Sequence, residues 1–155
     1  HLRFRRQRQM CIRDSTETAR YQAIRYLPQE TGALKTTIRE NLQLSAPGAD
    51  DDELYLALSL ARLDLDLDSD ASLLSGGQQQ RIALAGIFLC HADVILLDEP
   101  TSALDDDTAI DIIKSLATLT QQHNKTLIMV THDSKLAQLA DFTLTLSDQR
   151  QDDQV

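Results

Sequence analysis

Val94-Ile95-Leu96-Leu97-Asp98-Glu99-Pro100 is the stretch on which the fold turns. Four consecutive apolar residues predict a buried strand, the pattern of a parallel sheet and not of a half-solvated antiparallel one. Two acids follow it directly, at the carboxyl edge where open α/β sheets bind ligands. An Asp in that place can hold Mg²⁺, usually through water, beside nucleotide phosphates. The adjacent Glu can orient or activate a water for attack on a γ-phosphate. Acids after a strand also commonly cap the next element, so the pattern needs company before it carries a function.

Working outward, the elements alternate. Ser75 opens a helix predicted to run to about Leu89, and another spans Asp106 to Gln122 behind an acidic cap. Thr126 to Thr131 reads as a second apolar strand, Ser134 to Ala140 as a helix and Phe142 to Leu146 as a third strand. Upstream, Tyr21 to Leu27 reads as a strand that Pro28 ends. Thr37 to Leu44 reads as a short helix. Asp50, Asp51 and Asp52 supply caps and N-terminal negative charge for the next one. Leu54, Ala57, Leu58 and Ala61 then form one apolar stripe at i, i+3, i+4 and i+7. Helices and apolar strands in alternation imply an α/β layer around a buried parallel sheet. Asp64, Asp66, Asp68 and Asp70 alternate with Leu, without the Gly and terminal Glu of a calcium loop. A solvated edge is the expectation there.

Composition narrows the class. With 155 residues, 42% hydrophobic and 25% charged, one modest domain fits and two ordinary ones do not. No apolar run reaches the ~18–20 residues that cross a bilayer. Cys11 and Cys90 make neither a metal spacing nor a disulfide framework, so a reducing cytoplasm is the default. The basic start, Arg5-Arg6-Gln7-Arg8-Gln9-Met10-Cys11-Ile12-Arg13-Asp14-Ser15, resembles the translation of a transposase-type sequencing adaptor more than an arm for nucleic acid or lipid. The whole chain carries a formal charge of −9, and residues 16–155 alone carry −13, which argues against a nucleic-acid surface.

Leu74-Ser75-Gly76-Gly77-Gln78, followed by Gln79-Gln80-Arg81, is the second informative string. A Ser before two glycines at a helix start leaves backbone N–H groups bare and allows close approach by another molecule. The helix dipole adds positive potential suited to phosphate. A plain Ser N-cap would explain Ser-Gly-Gly alone. It does not explain the full string.

At this point the chain resembles the ABC ATPase family. Gln29 in Tyr26-Leu27-Pro28-Gln29 is similar to the Q-loop glutamine, and Ser75 to Gln78 to the family signature. Asp98 and Glu99 are similar to the Walker B aspartate and catalytic glutamate. Ser102-Ala103-Leu104-Asp105 resembles the D-loop, and His132 in Thr131-His132-Asp133 the H-loop histidine. All of these stand in family order, and the match runs from Gln22 to Leu146.

The resemblance implies a P-loop NTPase (RecA-like) three-layer fold, here incomplete, with a helical subdomain over residues 31–74. The end of the first lobe and the Q-loop would occupy residues 16–30, and the signature helix with the Walker B and H-loop core residues 75–146. A loose tail, 147–155, would follow. The resemblance also implies ATP and Mg²⁺ as ligands. Glu99, His132 and Gln29 would be catalytic, and Asp98 with Gln29 would hold the metal. Ser75, Gly76, Gly77, Gln78 and Asp105 would serve a nucleotide held by a second ABC ATPase domain. A transmembrane transporter domain would be the other partner, placing the chain at the cytoplasmic face of a membrane. A soluble ABC ATPase of translation or DNA repair is the alternative. Thr37-Ile38-Arg39-Glu40-Asn41-Leu42 resembles the segment that meets the coupling helix in exporter-like members, whereas the short span from Ala61 to the signature departs from them.

Two family features are missing. No G-x-x-x-x-G-K-[ST] loop occurs in the 155 residues, nor does the upstream aromatic that stacks on adenine. Both would precede Gln22, so truncation near Ser15 is the expectation, with little ATP binding or turnover by the chain as given and with an apolar edge and face of the sheet left uncovered. Gly86 also stands mid-helix where the family often has Arg, at a cost of ~1 kcal/mol relative to Ala.

Overall fold

The computed structural model describes residues 23–30 and 32–146. The adaptor-like segment, the start of the strand read from Tyr21 and the tail after Leu146 lie outside them. Among the described residues three strands, β1 (Ile24–Leu27), β2 (Val94–Asp98) and β3 (Thr126–Val130), form one sheet in that spatial order. Both pairings are parallel, with Leu27 opposite Leu97 and Asp98 opposite Val130. The register brings all three carboxyl ends to the same edge.

Five helices accompany the sheet among the described residues: α1 (Ile38–Gln43), α2 (Asp51–Leu60), α3 (Gly76–Leu89), α4 (Asp106–Gln122) and α5 (Ser134–Ala137). Their starts follow local chemistry. Thr37, Asp50 and Ser75 each make a capping box with the residue three on, Glu40, Glu53 and Gln78, satisfying otherwise orphaned N–H groups. Helix α5 is shorter than the expected Ser134 to Ala140. Past Gln138 the backbone tightens to i→i+3 bonds, Leu139 N–H to Leu136 O at 3.0 Å and Ala140 N–H to Ala137 O at 3.3 Å. Among the described residues no helix is long and apolar enough to cross a membrane.

The core joins the expected α2 stripe, Leu54, Ala57, Leu58 and Ala61, to Ile38 and Leu42 of α1, to Leu84 and Ile87 of α3, and to Ile112, Ile113 and Leu116 of α4. The acidic run contributes as well. Leu63 and Leu67 turn inward while Asp64, Asp66, Asp68 and Asp70 stay exposed, so the run is a solvated edge with an apolar underside. Arg39 fastens it, pairing with Asp68 at 3.0 Å and also with Asp51 at the start of α2. A 3₁₀ turn, Ala71–Leu73, then leads into the signature. Gly86 finds its reason here. A Cβ at that position would lie 2.7 Å from Ser45 Oγ, which itself accepts a 2.7 Å hydrogen bond from Arg25 Nη2.

One expectation is met and one corrected. The sheet is parallel and, as expected of an incomplete α/β sheet, it is buried on one face only. Leu27, Ile95 and Leu97 lie in the core, whereas Ile24, Tyr26, Ile128 and Val130 on the opposite face are 48%, 50%, 49% and 54% exposed. Helix α3 packs against β1 and α4 against β3, and no described residues cover the other side. Phe142 to Leu146 is not a strand. Its alternating pattern pairs with no strand among the described residues; Thr143 Oγ1 donates to Ala137 O at 3.2 Å, and the large apolar side chains remain exposed.

Candidate nucleotide site at the sheet edge

The parallel register places Gln29 two residues beyond β1, Asp98 and Glu99 at the end of β2, and His132 two residues beyond β3. Four of the expected site residues therefore gather at one carboxyl edge. Within it, His132 Nδ1 lies 2.9 Å from Glu99 Oε1. That contact holds the imidazole pKa above its ordinary value, first through the hydrogen bond and then through the carboxylate's charge. Glu99 has φ of 45°, in the left-handed region. Its N–H is tied to Val130 O at 2.9 Å. The turn aims its carboxylate sideways toward β3 instead of continuing the strand.

Asp98 meets Tyr26. The phenol donates to Asp98 Oδ2 at 3.2 Å. Partial burial, then the bond and charge of Asp98, push the phenol's pKa up. Tyr26 was not singled out from sequence as a site residue. The strand register, which only the fold supplies, brings it there: Tyr26 is one residue before the Leu27 that faces Leu97.

The signature residues divide in their roles. Ser75 Oγ accepts from Gln78 N–H at 3.3 Å, and Gln78 Oε1 accepts from Ser75 N–H at 3.0 Å, so both side chains are engaged in capping α3. Gly77 is required for packing: a Cβ there would sit 2.9 Å from the carbonyl oxygen of Ala103. A Cβ at Gly76 would meet nothing within 4 Å, so this position faces open space. With Gln29, Gln80, Ser102 and Ala103 it lines a shallow cleft. Asp105 caps α4, accepting from Thr108 N–H at 2.9 Å, and that bond lowers its pKa. Lys135 pairs with the neighbouring Asp106 at 2.5 Å, joining α5 to α4.

The structure also adds Gln80, which the sequence reading treated only as part of the trailing Gln-Gln-Arg. It is buried and bonded to the segment after β2. Its place on the α3 stripe with Leu84 and Ile87, at i+4 and i+7, was the available signal.

Comparison with known proteins agrees with this geometry. A family model described as ABC transporter matches residues 5–102, a span that also crosses part of the basic N-terminal stretch. The uncharacterized ABC transporter ATP-binding protein YclH of Bacillus subtilis is 45% identical over 74 residues, covering 48% of this chain and 33% of that protein. The glutathione/L-cysteine transport system ATP-binding/permease protein CydC of Escherichia coli is 36% identical over 130 residues, covering 78% of this chain and 22% of that protein. Among solved structures, a bacterial Atm1-family ABC exporter with ATP bound superposes with a TM-score of 0.69 at 30% identity, over 79% of this chain and 23% of that one. The chain thus spans about a third or less of the curated relatives it matches. The chain belongs to the ABC transporter family, within its ATP-binding domain.

Proposed function

We propose that this chain supplies the water-activating and sensing side of an ATP site that powers a membrane transporter. The observation that carries the reading is the 2.9 Å contact between His132 and Glu99 at the sheet edge that also holds Asp98. In this reading the Glu99 carboxylate takes a proton from the water as its oxygen attacks the γ-phosphorus. The bond to the β-phosphate oxygen breaks and ADP leaves. His132, largely exposed at the edge, donates a hydrogen bond to a γ-phosphate oxygen. Gln29, neutral and able both to donate and to accept, reports nucleotide state to the helices over residues 31–74.

Asp98 and Gln29 would hold Mg²⁺. The donor set fits: a carboxylate and an amide oxygen are hard ligands of the kind this ion takes, usually with several waters. When bound, the ion neutralises phosphate charge.

The open space at Gly76 supports a surface approached from outside, as required if Ser75 to Gln78 and Asp105 face ATP on a second ABC domain. The relatives' ATP-binding/permease character supports a transmembrane partner and a place at the cytoplasmic face of the membrane, with this domain fused or peripheral. It favours transport over a soluble role in translation or DNA repair. Without a Walker A loop in its 155 residues the chain lacks the main cradle for the β- and γ-phosphates, so alone it binds ATP weakly and does not turn it over.

The test uses the complete transporter that carries this chain. Glu99→Gln should abolish hydrolysis while sparing ATP-driven dimerisation. Normal turnover in that variant would remove Glu99 from the reaction. Measurable Mg·ATP turnover by the 155-residue chain would refute its inactivity alone.

A further inference from the structure

Gln80 is 4% exposed, one of two buried polar side chains among the described residues. The other, Thr120, satisfies itself within its own helix by donating to Ala117 O. A buried amide is costly unless each polar atom finds a partner. Gln80 finds all of its partners on one short segment outside its helix. Its Nε2 donates to the Glu99 carbonyl at 3.4 Å and to Ser102 Oγ at 3.3 Å, and its Oε1 accepts from Ala103 N–H at 3.0 Å. One helical turn earlier, Gly77 lets the Ala103 carbonyl come against the same helix.

The segment so gripped begins at Glu99, whose positive φ is unfavourable for a residue with a Cβ. Such a conformation persists only where the surroundings hold it on both sides. Val130 O takes the Glu99 N–H, while Gln80 and the N–H of Ser102 hold the Glu99 carbonyl.

We infer that Gln80 is a positioning residue that locks the backbone of Glu99 and the Ser102–Ala103 turn to the first turns of α3. Ser75 to Gln78 and the Glu99 carboxylate then move as one body. A change in how the helix start engages a phosphate is thereby passed to the group that activates water. The inference rests on the reading of Glu99 as that group.

The experiment again uses the complete transporter. Gln80→Met keeps the length and volume of the side chain and removes all three hydrogen bonds. Gln80→Glu keeps an acceptor for Ala103 N–H but offers no donor to the Glu99 carbonyl, and it carries the same test if the Met variant does not fold. Steady-state ATPase kinetics are measured well below each variant's thermal midpoint. Both variants should lower kcat by about tenfold or more with KM for ATP within about twofold, the signature of a lost transition-state arrangement. Wild-type kcat in a folded Gln80→Met protein overturns the inference, as does a kcat loss explained by the unfolded fraction alone. Glu99→Gln is run beside them. If it retains turnover, the underlying reading of Glu99 fails; if it is inactive while Gln80→Met is normal, only the role of Gln80 fails.

Discussion

The imidazole of His132 and the carboxylate of Glu99, 33 positions apart in sequence, stand 2.9 Å from each other at the end of adjacent parallel strands. The contact raises the His132 pKa above the ordinary 6.5. The cationic form is therefore favoured by folding, and its contribution is complete below pH 6.5. That contribution fades as pH rises through the raised folded value. NMR titration of the His132 ring should give a pKa above 6.5, and Glu99→Gln should bring it down toward that figure. Identical titration of the two proteins would dismiss the contact.

The two signature glycines should separate when each is replaced by Ala. Gly77→Ala drives a methyl into the Ala103 backbone, an overpacking that costs about 1–3 kcal/mol and lowers the thermal midpoint. Gly76→Ala meets nothing and gains helix propensity, so its fold should be as stable or slightly more so. Any loss of turnover from Gly76→Ala in the complete transporter then belongs to the surface it presents. Equal destabilisation by both would contradict the packing described.

The acidic run makes a sharper demand. Leu67 is fully buried beneath it, whereas Asp66 is exposed. Leu67→Ala should cost about 2–5 kcal/mol in denaturant unfolding, by lost burial and a residual cavity. Asp66→Ala should stay within about 0.5 kcal/mol of the parent. The reverse ranking would mean the run is read upside down.

The open face of the sheet should be sticky. Ile24, Tyr26, Ile128 and Val130 form a contiguous apolar surface, and Phe142, Leu144 and Leu146 add to the exposed apolar area. The 155-residue chain should self-associate in light scattering and bind hydrophobic dyes. Ile128→Lys with Val130→Thr should reduce both. A monomeric chain with a cooperative melt and no dye binding would contradict this.

Much of this was legible in advance, for definite reasons. Capping boxes and apolar stripes are local, so α1, α3 and α4 fall within a residue or so of their expected ends, and α2 starts at its expected cap. The strand before Asp98 announced itself because four apolar residues in a row leave few alternatives. Phe142 to Leu146 failed for the opposite reason: alternation is necessary for a strand, but the hydrogen-bonding neighbour is supplied by another part of the fold. Tyr26 and Gln80 stand inside the quoted strings, but nothing local assigns either of them a role. Each matters through what it touches.

By itself, the sequence determined most element types, the parallel α/β class and the motif strings, since these depend on local periodicity, capping and short strings. Only the tertiary structure decided that His132 meets Glu99, that Gln80 holds the turn after β2 and which residues form the open face of the sheet. Strand order and register set those relations, and both arise from the simultaneous packing of segments far apart in the chain.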